Sequence, residues 1–324
     1  MRWSVVIGAL GLATMACAGP TEETPDRLNQ MIPLIEQGLP VLGVSHPPYA
    51  AFRRRGQEEA DVEQPDLAEV AREVVAYQEG DYELNNYSPA TADRYRGFME
   101  AIVAAGGSAR THPFMAKIPI MHTDPATTTQ RLIDQLNDGQ VAVAMQQVET
   151  VEEVEQAIAA MRFPSQGGVR PESGFERAAA YWGMTPEEYL ERADVWPLNP
   201  AGELLVNVII ESREGVANVR AIAAMPGVAI VTVGSGTLGG VFTSMDADGE
   251  RVRDQEGFDE AVATVLAACK EFGKSCGYPA NNPAQVEELM AEGWDFLIMQ
   301  RRNQDAFDAV QTARRLSGRT VEGS

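Results

Sequence analysis

The chain has 324 residues, of which 44% are hydrophobic, and carries a net charge of −21 with a pI near 4.5. That length allows one large α/β barrel, typically ~250 residues, or two ordinary domains. So acidic a surface repels nucleic acid and anionic lipid, which excludes a nucleic-acid partner, and any anionic substrate must be drawn in by a local cation.

In chain order, residues 1–19 (MRWSVVIGALGLATMACAG) begin with a basic Arg2, pass through an apolar stretch from Val5 to Leu12 too short to span a bilayer, and end in small residues. This is the pattern of a secretory signal peptide. Ala16-Cys17-Ala18 fits cleavage after Ala18, and Ala16-Cys17 also fits a bacterial lipobox, with Thr14 where leucine is preferred. The lipoprotein reading is adopted: an exported, periplasmic chain with a lipid anchor at Cys17. The expected divisions are a signal peptide over 1–18, a tether over 19–35 that is polar from Pro20 to Asp26, one barrel over 36–318 and a tail over 319–324.

Buried-strand patterns predict strands over Val41–Ser45, Asp81–Tyr87, Pro113–Ile118, Gln140–Gln146, Leu204–Glu211, Val228–Gly234, Ser275–Pro279 and Phe296–Gln300. Helical periodicity fills the gaps over Pro65–Gln78, Thr91–Ala105, Thr127–Asn137, Val151–Met161, Val216–Ala224, Phe258–Phe272, Pro283–Glu292 and Gln304–Leu316. Thr123-Asp124-Pro125 supplies an N-cap and an N1 proline, and Thr150 with Glu153 forms a capping box. Strict alternation of strand and helix predicts a (β/α)8 TIM barrel. Its one interruption is an insertion before the fifth strand, Phe163 to Gly202, with a helical piece around Pro186–Arg192. Gly56 to Gln64 is a charged, solvated stretch. Cys269 and Cys276 could pair in an exported protein; the reading adopted is two small buried apolar residues.

In such a barrel the chemistry sits at the C-terminal ends of the strands. The residues there are His46, Asn86, Tyr87, Lys117, His122, Gln146, Gln147, Glu211, Ser235, Thr237, Tyr278, Asn281, Gln300 and Arg301. Glu211 ends a buried strand, where a carboxylate has no partner inside the sheet. Gly234-Ser235-Gly236, with Gly239-Gly240 beyond, offers backbone N–H groups that suit a carboxylate. His112 starts a strand and reads as structural, and His122 reads as a loop histidine. Asp246 to Glu250 lacks the spacing of a calcium loop and reads as a solvated turn.

The stretch from Leu204 to Leu238 also resembles a family. Ile210-Glu211-Ser212, Gly215-Val216, Asn218, Pro226-Gly227-Val228 and Gly234-Ser235-Gly236-Thr237-Leu238 are similar to the corresponding run of the HpcH/HpaI aldolase/citrate lyase family. The resemblance extends from about Val41 to Leu316. It takes in Lys117-Ile118-Pro119, Asp124-Pro125, Val148-Glu149-Thr150, and Arg162-Phe163-Pro164 with Gly167 and Arg170. It implies a carbon–carbon lyase acting on a 2-oxo or 2-hydroxy carboxylate through an enolate held on a divalent metal (Mg, Mn or Co), weakly bound here. It also implies a homo-oligomer, with the insertion at a subunit interface and over the active-site mouth.

The resemblance makes Glu211 a metal ligand and puts Thr237 where the family has its second carboxylate. Lys117 stands where the family has an arginine that bridges the oxo group and the enolate. Asn86-Tyr87-Ser88-Pro89 replaces the turn that carries the family's histidine base, so His46 is the candidate base. Gln147, Ser235, Gly236 and Thr237 are expected to bind substrate. The alternative is an exported, catalytically inactive barrel that binds a carboxylate.

Overall fold

The computed structural model describes residues 26–51, 63–85 and 89–321. The leader, the lipobox and the Asn86-Tyr87-Ser88 turn lie outside the described residues.

Eight parallel strands close into a barrel: β1 (Val41–Ser45), β2 (Tyr82–Asn85), β3 (Phe114–Ile118), β4 (Ala142–Met145), β5 (Leu205–Ile210), β6 (Val228–Val233), and, beyond a hairpin of β7 (Thr243–Met245) and β8 (Arg251–Arg253), β9 (Ser275–Ala280) and β10 (Phe296–Met299). Around the barrel the order is β1-β10-β9-β6-β5-β4-β3-β2, and β1 pairs with both β10 and β2 to close it. Every residue of β5 (LVNVII) and β6 (VAIVTV) is buried, as expected of strands covered on both faces.

The covering helices are α2 (Leu67–Ala76), α3 (Ala92–Ala104), α4 (Pro125–Asn137), α5 (Val151–Met161), α8 (Arg213–Ala224), α10 (Gln255–Glu271), α11 (Pro283–Glu292) and α12 (Gln304–Leu316). Most start at a side-chain cap just after a strand or its loop: Asp124, Thr150, Ser212, Asn282 and Asn303 each accept an amide of the first turn. Among the described residues, no helix is long and apolar enough to cross a membrane.

The barrel interior is packed with large and small partners. A Cβ on Gly43 would lie 2.0 Å from the ring of Tyr82, which fills the floor and stacks on Phe296 at 5.0 Å. One layer higher, a Cβ on Gly277 would lie 2.0 Å from the Thr232 hydroxyl, which donates to Asn207 at 2.7 Å.

Three expectations change here. The tether does not extend to residue 35. Leu28, Met31 and Ile32 are buried, helix α1 (Met31–Glu36) closes the N-terminal end of the barrel, and the buried Glu203 accepts the amides of Leu28 and Asn29 at 3.2 and 2.9 Å. The insertion does not cover the mouth. It joins the end of α5 to the start of β5, both at the barrel's N-terminal end. Its helix α6 (Glu176–Trp182) packs there through Tyr181 on the His112 carbonyl and Trp182 on the Gly139 carbonyl, and α7 (Pro186–Arg192) through Tyr189 on the Leu136 carbonyl. Arg170 is fully buried in this layer, 4.7 Å over the Phe163 ring and bonded to Tyr189 at 2.8 Å. Cys269 and Cys276 are joined in a disulfide between the end of α10 and the start of β9, their Cα atoms 5.8 Å apart. Gly234-Ser235-Gly236 leads into a short helix, α9 (Ser235–Val241). The turn from Asp246 to Glu250 closes the β7–β8 hairpin, with the Asp246 carboxylate folded onto the amides of Asp248 and Glu250.

Candidate active site

At the C-terminal mouth of the barrel, Lys117, Glu211, Thr232, Ser235, Gly236, Thr237 and Gln300 line one cleft of ≈ 110 Å³. Strand alternation explains the grouping. On β3, Lys117 is directed inward. From β5, Ile209 and Glu211 point the same way two residues apart, as do Thr232 and Gly234 from β6.

Glu211 is held by backbone. Its Oε1 accepts the N–H of Gln147 at 3.1 Å, and Gln147 adopts a φ of 48°, a left-handed conformation that non-glycine residues seldom take. A Cβ on Gly234 would fall 2.4 Å from the other oxygen, Oε2, so the carboxylate seats only because residue 234 is glycine. Lys117 differs: among the described residues no carboxylate pairs with its ammonium.

Two further groups flank the cleft. His122, in the loop after β3, has Nδ1 2.8 Å from Glu153 Oε1 and 3.9 Å from Glu149 Oε2. The Glu153 carboxylate also accepts the Glu149 amide at 3.0 Å, so the expected capping box is only half formed: Thr150 accepts the Glu153 amide, while Glu153 reaches past the cap. Tyr278 is the outward residue between the inward Gly277 and Pro279. Its ring lies 4.9 Å from Trp294, burial pushes its phenol above the usual range, and its hydroxyl is bonded to Ser235, which opposes that rise.

The structure thus brings Lys117, Glu211, Ser235, Gly236, Thr237 and Gln300 together, and adds Thr232. It does not bring His46 or the Gln147 side chain to the cleft lining. His46 instead stands among Tyr49, Phe98 and Phe114, at ring distances of 5.4, 5.4 and 6.2 Å, with Nδ1 2.5 Å from the Pro47 carbonyl. Gln147 acts here through its amide. His112 is buried against the Tyr77 carbonyl, and burial lowers its pKa.

A larger groove of ≈ 740 Å³ lies outside the barrel between α10 and α11. It is floored by Phe258, Leu266 and Trp294 and rimmed by Asp259, Glu288 and Glu292. It has carboxylates but no cation, and it lies away from the lysine at the mouth, so the smaller cleft is the candidate site.

The profile of the HpcH/HpaI aldolase/citrate lyase family matches residues 110–299, more than half of the chain. The chain belongs to this family. A hydroxypyruvate/pyruvate aldolase of Delftia acidovorans (strain DSM 14801 / SPH-1) is 30% identical over 255 residues, which cover 78% of this chain and 85% of that one. A second hydroxypyruvate/pyruvate aldolase, from Chromohalobacter salexigens, is 31% identical over 58% of this chain and 67% of its own length. A solved HpcH/HpaI aldolase/citrate lyase family protein from Burkholderia cenocepacia J2315 superposes with a TM-score of 0.63 at 21% identity. It covers 90% of this chain and 98% of that one, and it shows the shared fold.

HpcH/HpaI enzymes typically depend on a divalent metal. The donors in this cleft do not fit one. Glu211 is the sole carboxylate among the described residues that line it, and one of its oxygens is already engaged by Gln147. The remaining oxygens belong to neutral hydroxyls and an amide, and an ammonium faces the same space. Among the described residues, no group of three His, Cys, Asp or Glu side chains is arranged to hold a metal.

The sequence marked Gly234 only as part of a carboxylate-binding segment and missed that it makes room for Glu211, although a glycine directly after a buried strand and opposite a strand-end carboxylate was the available signal. It also missed the carboxylate partner of His122, which lies 31 residues away.

Proposed function

We propose that the protein is a carbon–carbon lyase that makes or breaks the C3–C4 bond of a small 2-oxo carboxylate, one carbon beyond the oxo group. The observation that carries the reading is the convergence of an ammonium that no carboxylate pairs among the described residues, Lys117, and a seated carboxylate, Glu211, in one cleft at the mouth of a family barrel. The two aldolase relatives support the same reaction class. In the reaction Lys117 faces the oxygen on which charge develops, Thr237 and Ser235 orient the substrate carboxylate, and Gln147 and Gly234 fix Glu211.

The test is exchange of pyruvate methyl protons, together with retro-aldol cleavage of 4-hydroxy-2-oxo acids, in the presence of Mg²⁺, Mn²⁺ or Co²⁺. Lys117→Ala is expected to lower turnover by about 10²-fold or more, because a preorganised charge at a developing oxyanion is among the largest catalytic effects. Lys117→Arg is expected to retain or improve it. Exchange that survives both Lys117→Ala and Glu211→Ala refutes the assignment.

One observation favours a second reading. Among the described residues that line the cleft there is no histidine to move protons. A barrel that binds a carboxylate without turning it over would show pyruvate or oxaloacetate binding and no exchange.

We also propose that the chain is exported and lipid-anchored through Cys17, on the pattern of residues 1–19, and that it forms a homo-oligomer as its family resemblance implies. Labelled fatty acid should enter the wild type and not Cys17→Ser. Light scattering on the eluted protein gives the assembly size.

A further inference from the structure

We infer that the ammonium of Lys117 supplies the positive charge of this site in place of a divalent cation, so that the barrel handles its 2-oxo carboxylate without a metal. The inference rests on the lyase reading above and concerns how that site works.

Three observations carry it. The cleft offers one carboxylate, and one of its oxygens is already engaged: Oε1 takes the Gln147 amide, while Oε2 packs close to Gly234. The hydroxyls that remain are partly committed, since Thr232 donates to Asn207 and Ser235 is bonded to Tyr278. A hard divalent cation wants about six oxygen ligands, with carboxylates among them, and here it would meet one carboxylate plus a repelling ammonium. Lastly, no described carboxylate pairs with Lys117, although Glu211 lines the same ≈ 110 Å³. A cation left unpaired in a walled cleft is complementary to a bound anion.

The chemistry balances with the chain's own groups. For a 4-hydroxy-2-oxo acid, Glu211 accepts the proton of the 4-hydroxyl. The C3–C4 bond breaks and releases an aldehyde. The electron pair of that bond becomes the C2–C3 double bond, and the C2 oxygen becomes an enolate that faces the Lys117 ammonium. Glu211 then returns the proton to C3, and a 2-oxo acid leaves. No electron is gained or lost overall.

The experiment follows pyruvate binding by calorimetry and methyl-proton exchange by NMR, with EDTA or with added Mn²⁺, alongside Mn²⁺ binding by electron paramagnetic resonance. Wild type is expected to exchange equally in EDTA and in Mn²⁺ and to bind no Mn²⁺. Thr237→Asp, which adds a second carboxylate to the cleft, is expected to gain Mn²⁺ binding. Lys117→Met is expected to weaken pyruvate binding about tenfold or more, the usual effect of removing a charge-assisted contact, and Lys117→Arg to restore it.

Exchange abolished by EDTA and restored by Mn²⁺, or Mn²⁺ bound by wild type and lost in Glu211→Gln, overturns the inference and leaves the lyase reading intact. Pyruvate binding that depends on Lys117, with no exchange in either buffer, overturns the lyase reading and keeps lysine as the cation. No pyruvate binding at all overturns both.

Discussion

At the scale of single residues, the cleft depends on a glycine as much as on its charged groups. Gly234 leaves the volume into which the Glu211 carboxylate folds, and a methyl there would sit 2.4 Å from Oε2. Gly234→Ala should therefore displace the carboxylate while leaving the barrel folded. We expect kcat/KM to fall by about tenfold or more, since displacements of about 1 Å in a reacting group cost that much, with an unchanged circular dichroism spectrum. The same scale shows what a sequence can and cannot disclose. Lys117 and Glu211 were legible because alternation along a buried strand fixes which way a strand-end side chain points. His46 was misplaced because what decides its direction is packing against Phe98 and Phe114, more than 50 residues away, and no local pattern records that contact. Tyr278 was placed at the mouth by its strand-end position. It faces outward because Gly277 and Pro279 take the inward positions of the alternation.

At the scale of elements, all eight barrel strands and their eight covering helices were visible, because most strands are short apolar runs, β4, β5, β6 and β10 without a break in apolar character beyond Asn207 and Thr232, and most helices follow a side-chain cap. What was not visible was short: α1, α6, α9 and the β7–β8 hairpin are three to seven residues each, too brief for a periodicity to declare itself. The disulfide was misread because sequence separation of seven residues says nothing about whether a helix end and a strand start will meet. It closes a small loop, so replacing both cysteines by alanine should cost about 2 kcal/mol in chain-entropy terms, measurable by urea unfolding. A second device ties α2 and α12 to β2. Glu83 is buried on the outer face of β2 against Arg302, with contacts of 3.1 and 3.3 Å, and Arg302 also lies over the Tyr77 and Phe307 rings. Burial outweighs the arginine and pushes the carboxyl up to about 7 from 4.5. The folded state therefore holds this proton more tightly than the unfolded chain does. The resulting contribution to stability is complete below about 4.5 and is lost as pH rises through 7. Thermal midpoints should fall over that window in the wild type and fall less in Glu83→Gln.

At the scale of the whole molecule, the two ends of the barrel do different work. The N-terminal end is sealed by α1 and by the insertion, and Glu203 is the joint: it takes two amides of the segment before α1 and pairs with Arg192 from α7. Removing it leaves two buried amides unmet and takes the carboxylate from the part-exposed Arg192, so Glu203→Ala should destabilise the fold by about 3 kcal/mol while pyruvate affinity of the remaining folded protein is unchanged. The C-terminal end stays open for the cleft. This polarity gives the chain a sense of direction. Asp26, where the described structure begins, lies at the sealed end, held by Arg110. A chain moored by a lipid at Cys17 would have only nine residues of slack, about 30 Å at full extension. Such an anchor would attach at the closed base, so the mouth would be the end of the barrel farthest from the point of attachment.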